Sequence, residues 1–263
     1  MEKYVKRRKA GINGNTLRKW GIVFIVAGII GRGVIQTHIM GMKGLMSNEL
    51  LNILETMPNA MTYAAVSIAL QVAETCAVPI FAMLLIEGIQ KTSDINAYLK
   101  RVITLAIVSE IPFNLAFSAK FFDFGSRNPV FGVVLCMLML IFWKNYDEKS
   151  KKNTLIKILL VVVAILWCQM LKVDHGAALV IIVSCLWAFR KNNLLFNFSG
   201  AAAAMMCSLI SPYYLASPMG FLAVHAYNGE ESTNGHKADY LQYPILLIIG
   251  WAFGILLHEE QGV

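Results

Sequence analysis

Long apolar runs follow one another along the chain, separated by short polar segments. A helix needs about 20 residues to cross the hydrocarbon core of a bilayer, because each residue adds about 1.5 Å. The pattern therefore predicts an all-α polytopic transmembrane helical bundle of about nine helices. The predicted spans are residues 20–37, 62–90, 98–117, 129–143, 154–171, 177–189, 194–210, 213–227 and 241–257.

The run at residues 213–227 is the least regular of these spans. It is short, and it contains Pro218 and His225. Non-helical backbone occurs at membrane depth where it is buried in protein or lines a cavity. Eight spans plus a re-entrant segment are therefore an alternative to nine spans.

Composition supports a single membrane domain. Of the 263 residues, 57% are hydrophobic and only 15% are charged, as is typical of multi-pass membrane proteins. The polar stretches at 1–19, 144–153 and 228–239 are too short to form cores of their own. We expect a basic cytosolic segment at 1–19, one membrane domain at 20–257 and a short tail at 258–263.

The distribution of basic residues predicts the orientation in the membrane. The formal net charge is +7; in a membrane protein such an excess marks cytoplasmic loops and does not imply a nucleic-acid partner. With a cytosolic N-terminus, 18 Lys and Arg residues fall inside, and four fall outside: Lys43, Lys120, Arg127 and Lys172. We therefore predict that the N-terminus is cytosolic.

The five cysteines all lie within apolar runs and form no CxxC pair. This pattern indicates packing residues and implies neither disulfides nor a metal site. We expect no metal cofactor.

Three ionisable residues fall at a common depth in three consecutive predicted helices. Arg32 and Glu110 each lie about 18 Å from the predicted inner ends of their helices, and Glu74 lies as far from the outer end of its descending helix, at about the same level; Asn114 follows one turn after Glu110. A charge in hydrocarbon is costly unless it is paired or wetted. We predict that Arg32 pairs with Glu74 or Glu110. This buried polar cluster either locks the helices together or lines a polar cavity.

Two prolines occur inside these helices. Pro79 and Pro112 each remove a backbone hydrogen bond, which would free the carbonyl groups near Thr75 and Val108. Broken helices at membrane depth normally face protein or a cavity. Both prolines therefore predict breaks close to the charged residues.

The predicted outer face carries His38, then Arg127 and Asn128, then the adjacent pair Asp174 and His175. A histidine beside an aspartate is a candidate general base, because its pKa lies near neutrality. A solvated turn without a function is the alternative for such a dipeptide. We take His175 with Asp174 as the first catalytic candidate and His38 as the second.

Several short motifs resemble the TraX family of bacterial membrane proteins, in the same order along residues 20–257. They are 79–88 (PIFAMLLIEG), 98–101 (YLKR), 109–116 (SEIPFNLA), 127–131 (RNPVF), 174–176 (DHG), 227–229 (YNG) and 243–244 (YP). The resemblance implies a multi-pass acetyltransferase of the bacterial plasma membrane that uses acetyl-coenzyme A. The family takes its name from a protein that N-acetylates conjugative pilin, and that acceptor is not inferred for this chain.

The chain departs from the family pattern at two places. Relatives usually end the first helix with an Asp-His pair, where this chain has Gly31-Arg32 and a histidine only at His38. Relatives often carry a histidine two residues after the Tyr-Pro pair, where this chain has Ile245-Leu246. If those histidines are catalytic in relatives, this chain has moved the base to His38 or His175, or has lost the reaction.

We therefore expect a membrane acyltransferase, with an unknown amine or hydroxyl acceptor. The acyl-coenzyme A would meet polar residues near the inner face: Glu87, Lys91, Lys100, Arg101, His225 and Asn228. Basic side chains bind phosphates, but the positive-inside bias alone would also place them there. A small-solute or proton-coupled transporter is an alternative, since midplane carboxylates and broken helices suit it equally. A non-catalytic assembly subunit is another.

Overall fold

A computed structural model of the chain describes residues 11–42, 52–53, 55–146, 150–230 and 241–260. The predicted basic segment lies largely outside the described residues, since residues 1–10 are not among them. Lys43, Lys149 and Lys237, which entered the charge count, also lie outside them.

The described residues fold into helices joined by short loops, and they include no β-strand. The prediction of an all-α bundle is confirmed. The helices are α1 Gly14–Gly28, a π-helix Ile29–Ile39, α2 Ala60–Glu74, α3 Ala77–Lys91, α4 Ile95–Ser118, α5 Val130–Lys144, α6 Lys151–Met170, α7 Gly176–Ala188, α8 Asn193–Met206, 3-10 helices Cys207–Leu209 and Pro212–Met219, α9 Gly220–Ala226 and α10 Gln242–Glu260.

The helices have the length and composition of a membrane protein. Within the described residues, four stretches are long and apolar enough to cross a bilayer, and shorter apolar helices accompany them. The four long stretches are Gly14–Ile39, Ala60–Lys91, Ile95–Ser118 and Lys151–Met170. Large apolar side chains such as Ile107 and Leu159 project outward from these helices, as lipid contact requires.

The segment predicted at 213–227 is not a regular spanning helix. Its first part is the 3-10 helix Pro212–Met219, and only the two turns of α9 are α-helical. Pro212 and Pro218 lack the backbone N–H that an α-helix interior needs. The irregular geometry agrees with the broken segment that these prolines predict.

The predicted second span divides into α2 and α3 at Thr75 and Cys76. Pro79 has no N–H to offer the Thr75 carbonyl oxygen, which accepts instead from Val78 N–H at 3.2 Å. Gly220 packs against this break, because a Cβ there would lie 2.3 Å from the Cys76 carbonyl oxygen. The expectation of a break is therefore correct for this span.

The second predicted break, at Pro112, is wrong. Helix α4 runs without interruption from Ile95 to Ser118 and carries Pro112 inside it. Membrane helices tolerate a proline where neighbouring groups satisfy the freed carbonyl.

The π-helix after α1 is a feature that the sequence pattern did not predict. Two of its backbone carbonyl groups accept hydrogen bonds from side chains five residues later. Thr37 Oγ1 donates to the Arg32 carbonyl at 2.9 Å, and His38 Nδ1 donates to the Gly33 carbonyl at 2.8 Å. Gly31 allows α2 to approach, and Ser67 Oγ donates to its carbonyl at 2.9 Å. Such wide turns are often associated with functional sites.

Helix α10 runs parallel to the π-helix that continues α1. A Cβ on Gly250 would lie 2.2 Å from Ile29 Cγ2, and one on Gly254 would lie 2.7 Å from His38 Cγ. Both contacts advance along the two helices in the same direction. The ends Gly14 and Glu260 therefore lie at opposite ends of the bundle. Which end is cytosolic stays a prediction.

Candidate functional site

The turn between α6 and α7 folds back into the bundle and brings its acidic residue to Arg32. Arg32 Nη1 donates to Asp174 Oδ2 at 2.6 Å, and both side chains are largely buried. The predicted partner of Arg32, Glu74 or Glu110, was therefore wrong. Counting helix rise gives depth along each helix, but it does not show which connecting turn folds inward.

His175 lies among groups from three parts of the chain. Its Nε2 is 3.7 Å from Glu74 Oε1 and 3.9 Å from Asp174 Oδ1, and its Nδ1 is 2.6 Å from the Tyr214 hydroxyl. The Nε2 distances suit ion pairs but exceed a direct hydrogen bond. Arg32, Glu74, Asp174, His175 and Tyr214 are called the His175 cluster below.

The charge state of His175 follows from these neighbours. The imidazole belongs to the turn between α6 and α7, outside the spanning helices. Burial alone would lower the pKa of His175, but the carboxylates of Asp174 and Glu74 outweigh it, and the pKa rises to about 9. At neutral pH the ring is therefore mainly an imidazolium, which donates a proton more readily than it accepts one.

The local backbone explains how the turn reaches this position. Arg127 N–H donates to the Lys172 carbonyl, and Asp174 N–H donates to the Arg127 carbonyl, each at 2.9 Å. His175 has a φ of 55°, in the left-handed region that non-glycine residues rarely adopt. Gly176 follows, and a Cβ there would lie 2.9 Å from Cys168 Sγ. The neighbouring loop and this glycine hold His175 in place.

Glu74 ends α2 directly before the helix break. Its carboxyl group lies against Gly28, since a Cβ at that position would be only 2.0 Å from the carboxyl carbon. Glu74 Oε1 lies 3.7 Å from His175 Nε2, an ion-pair distance. A side chain larger than that of glycine at position 28 would displace it. Gly28 is therefore part of the site.

Sequence reasoning also missed Tyr214 and the aromatic faces around Arg32. Tyr214 is buried in the 3-10 helix Pro212–Met219, and its ring packs edge-on against His175. The Arg32 guanidinium lies 5.4 Å from the ring centre of Phe113 and 4.1 Å from that of Phe117. A tyrosine beside two prolines in an apolar segment was the only signal available for Tyr214.

Glu110 belongs to a second set of polar groups. Its Oε1 accepts from Arg127 Nη1 at 2.9 Å, and its Oε2 accepts from the Asn128 side-chain amide at 2.6 Å. Asn128 is fully buried, and its place on the outer side of the membrane stays a prediction. It also donates to the Ala106 carbonyl at 2.9 Å. Glu110, Arg127 and Asn128 are called the Glu110 cluster below.

Asn114 and His38, two other predicted site residues, have structural contacts. Asn114 is buried, and its amide donates to the Phe121 carbonyl at 3.4 Å, in the loop after α4. His38 is also buried, and its Nδ1 must carry the proton, because the Gly33 carbonyl only accepts. His38 Nε2 is buried and forms no hydrogen bond among the described residues. These contacts do not place His38 in the His175 cluster.

The predicted coenzyme-binding residues are only partly brought together. Lys91 forms an ion pair with Glu87 at 2.8 Å. Its ammonium group also donates to the carbonyl of Gly229, the residue that follows Asn228. Tyr227 donates a hydrogen bond to the same glutamate. His225 instead contacts Asn197, at 3.1 Å between their nitrogens.

Lys100 and Arg101 lie on the first turns of α4. Lys100 is exposed, and Arg101 Nε donates to the Ala97 carbonyl at 3.3 Å. Among the residues that the structure describes, no group of three His, Cys, Asp or Glu side chains could hold a metal ion.

Comparison with known proteins gives one match. A family model described as TraX protein matches residues 45–253. The matched range includes Glu74, the Glu110 cluster, His175 and Tyr214, whereas Arg32 precedes it. Neither the curated proteins nor the solved structures gave a match to this chain.

Proposed function

Because the chain belongs to the TraX family, we propose that it is a membrane acyltransferase. The donor would be an acyl-coenzyme A, with acetyl-coenzyme A as the first choice, and the acceptor an amine or a hydroxyl group. The protein would act in the plasma membrane of a bacterium. The acceptor and the length of the acyl chain are left open.

The observation that carries the proposal is the position of His175 between two carboxylates inside the bundle. Glu74 and Asp174 lie within 4 Å of its Nε2, and Tyr214 contacts the other ring nitrogen. Titratable groups that shift one another's pKa in a protein interior are typical of catalytic sites. Glu74 faces His175 at an ion-pair distance of 3.7 Å and not through a short hydrogen bond, which leaves lone pairs of its carboxylate for an acceptor N–H or O–H.

The proposed chemistry assigns different roles to the two groups. The acceptor N–H or O–H gives its proton to Glu74, and its nitrogen or oxygen attacks the thioester carbonyl carbon. A C–N or C–O bond forms, the C–S bond breaks, and the His175 imidazolium protonates the departing thiolate. This assignment follows from the pKa of about 9 for His175 and reverses the sequence-based expectation that His175 is the base. Asp174, held by Arg32, orients the imidazolium.

The donor would have to reach the His175 cluster from the end of the bundle that contains Lys91. Glu87 lies 13 residues after Glu74, a distance of about 20 Å along α3. Lys91, at the same end of α3, is partly exposed and forms an ion pair with Glu87. We propose that the coenzyme phosphates contact this end and that the thioester arm extends along α3 toward Glu74.

The test uses purified full-length protein in liposomes with acetyl-coenzyme A. Release of free coenzyme A thiol is followed with and without added amine and hydroxyl acceptors, and coenzyme binding is measured separately by calorimetry. Acceptor-dependent thiol release supports the proposal. His258→Ala, at an exposed position near the end of α10, is the control variant and is expected to keep full activity. Failure to bind any acyl-coenzyme A contradicts the proposal.

One observation favours a second candidate, a proton-coupled transporter. The break between α2 and α3 lies directly beside Glu74, and discontinuous helices with midplane carboxylates are common at transport sites. Proton flux into liposomes that depends on Glu74, measured without acyl-coenzyme A, would support transport instead of acyl transfer.

A further inference from the structure

Three phenylalanine rings project from the loop between α4 and α5. Phe121, Phe122 and Phe124 are 66%, 71% and 76% exposed, respectively. The loop at residues 120–125 is called the phenylalanine loop below. It lies outside the His175 cluster and has no role in the proposed reaction.

Hydrogen bonds within the protein hold this loop in a defined conformation. Asp123 accepts from the Ser118 hydroxyl at 2.5 Å and from Gly125 N–H at 2.9 Å. The hydrogen bond from Ser118 lowers the pKa of Asp123, which keeps its carboxylate ionised. Asn114 donates to the Phe121 carbonyl. These hydrogen bonds fix the backbone of the loop, while its three rings remain exposed.

The position of the loop along α4 places it at a membrane boundary. Arg101 marks the charged end of α4, and Ser118 lies 17 residues further on, which is about 26 Å along the helix. The hydrocarbon core is about 30 Å thick. Between these two residues, α4 presents an apolar face to its surroundings, including Ile103, Ile107 and Ile111. The phenylalanine loop therefore continues a lipid-facing surface at the level where hydrocarbon gives way to headgroups.

We propose that the phenylalanine loop is inserted into the bilayer, with its rings among the upper acyl chains and its backbone among the headgroups. The charged groups fit this depth. Lys120, at the start of the loop, is exposed, and the Arg127 guanidinium lies 4.9 Å from the ring centre of Phe124. The Lys120 side chain can reach lipid phosphates from this level, whereas the Arg127 charge is paired with Glu110; the apolar rings suit the acyl chains below the headgroups.

The insertion is tested with spin labels on the full-length protein in liposomes of phosphatidylethanolamine and phosphatidylglycerol. The five native cysteines are replaced by serine, and a nitroxide is attached at Phe122→Cys. Ile107→Cys on the apolar face of α4 is the lipid control, and Ser93→Cys in the exposed α3–α4 turn is the water control. Collision rates with oxygen, which concentrates in lipid, are compared with those of a water-soluble nickel chelate.

The proposal predicts that the Phe122 label behaves as the Ile107 label does, with oxygen collisions exceeding nickel collisions. A Phe122 label that favours nickel, as the Ser93 label should, would show a loop in water and would overturn the proposal. Protection from both reagents would show that protein covers the loop, which also overturns it.

A second variant avoids replacing the cysteines, four of which are buried. In Phe122→Trp, the added indole fluorescence is expected to be quenched by phosphatidylcholine with brominated acyl chains. The unsubstituted protein gives the baseline from its own tryptophans. Added fluorescence that the brominated chains leave unquenched contradicts insertion, even if the cysteine-free protein does not fold.

Discussion

The two polar clusters inside the bundle differ in how completely their carboxylates are bonded. In the Glu110 cluster, Oε1 of the glutamate accepts from Arg127, and Oε2 accepts from Asn128. In the His175 cluster, the Glu74 carboxylate lies 3.7 Å from His175 Nε2, an ion-pair distance, and that nitrogen forms no hydrogen bond within the described residues. A fully bonded buried carboxylate has little capacity left for a substrate. We therefore assign a structural role to the Glu110 cluster and a catalytic role to the His175 cluster.

The largest effect is expected for His175→Ala. The loss of an acid–base group typically lowers the rate about 10²–10⁴-fold, and we expect a decrease of that size in acetyl transfer. Coenzyme binding should persist, because the coenzyme phosphates are proposed to contact the other end of α3. Thiol release and calorimetric titration measure the two properties separately. Unchanged transfer by this variant would remove His175 from the mechanism.

Glu110→Ala should instead affect stability. It leaves Arg127 and the buried Asn128 amide without their shared acceptor, and breaking such a buried pair costs about 3–5 kcal/mol. The measurement is the free energy of unfolding by titration with a denaturing detergent. Glu55→Ala, at an exposed position, is the matched control and should change that free energy by less than about 0.5 kcal/mol. Equal stability of both variants would contradict a structural role.

The dependence of kcat/KM on pH separates the two roles proposed for His175, because this parameter follows the pKa values of the free enzyme. With a pKa of about 9, the imidazolium is present below that pH and is lost as the pH rises through it. If His175 is the acid, kcat/KM falls as the pH rises through about 9. A kcat/KM that instead rises toward pH 9 would restore His175 as the general base.

His38→Asn should have the smallest effect. Its Nδ1 proton bonds the Gly33 carbonyl in the π-helix, and a hydrogen bond of this kind contributes about 1 kcal/mol. We expect a comparable decrease in the free energy of unfolding and little change in acetyl transfer. A loss of transfer as large as that of His175→Ala would return His38 to the list of catalytic candidates.

Sequence patterns predicted the helical bundle and the break beside Glu74, and they singled out Asp174 and His175 as a pair whose catalytic role stays a prediction. They did not predict that Arg32 pairs with Asp174, because helix rise gives depth but not the direction in which a side chain points. Tyr214 and Gly28 were missed as site residues for the same reason. The π-helix was missed because it depends on contacts such as those of Thr37 and Ser67, which form only when the helices pack.

The contrast between the two clusters is tested most directly by making the same small change in each. Glu74→Gln and Glu110→Gln both remove one negative charge and keep the size of the side chain. The rate of acetyl transfer is measured for each and is corrected for the folded fraction. The account predicts that, per folded molecule, Glu74→Gln loses transfer about 10²–10⁴-fold, in addition to any stability it loses with the ion pair to His175. Per folded molecule, Glu110→Gln should keep its activity. Full activity in Glu74→Gln, or an equal loss in both variants, would contradict the assignment of chemistry to the His175 cluster.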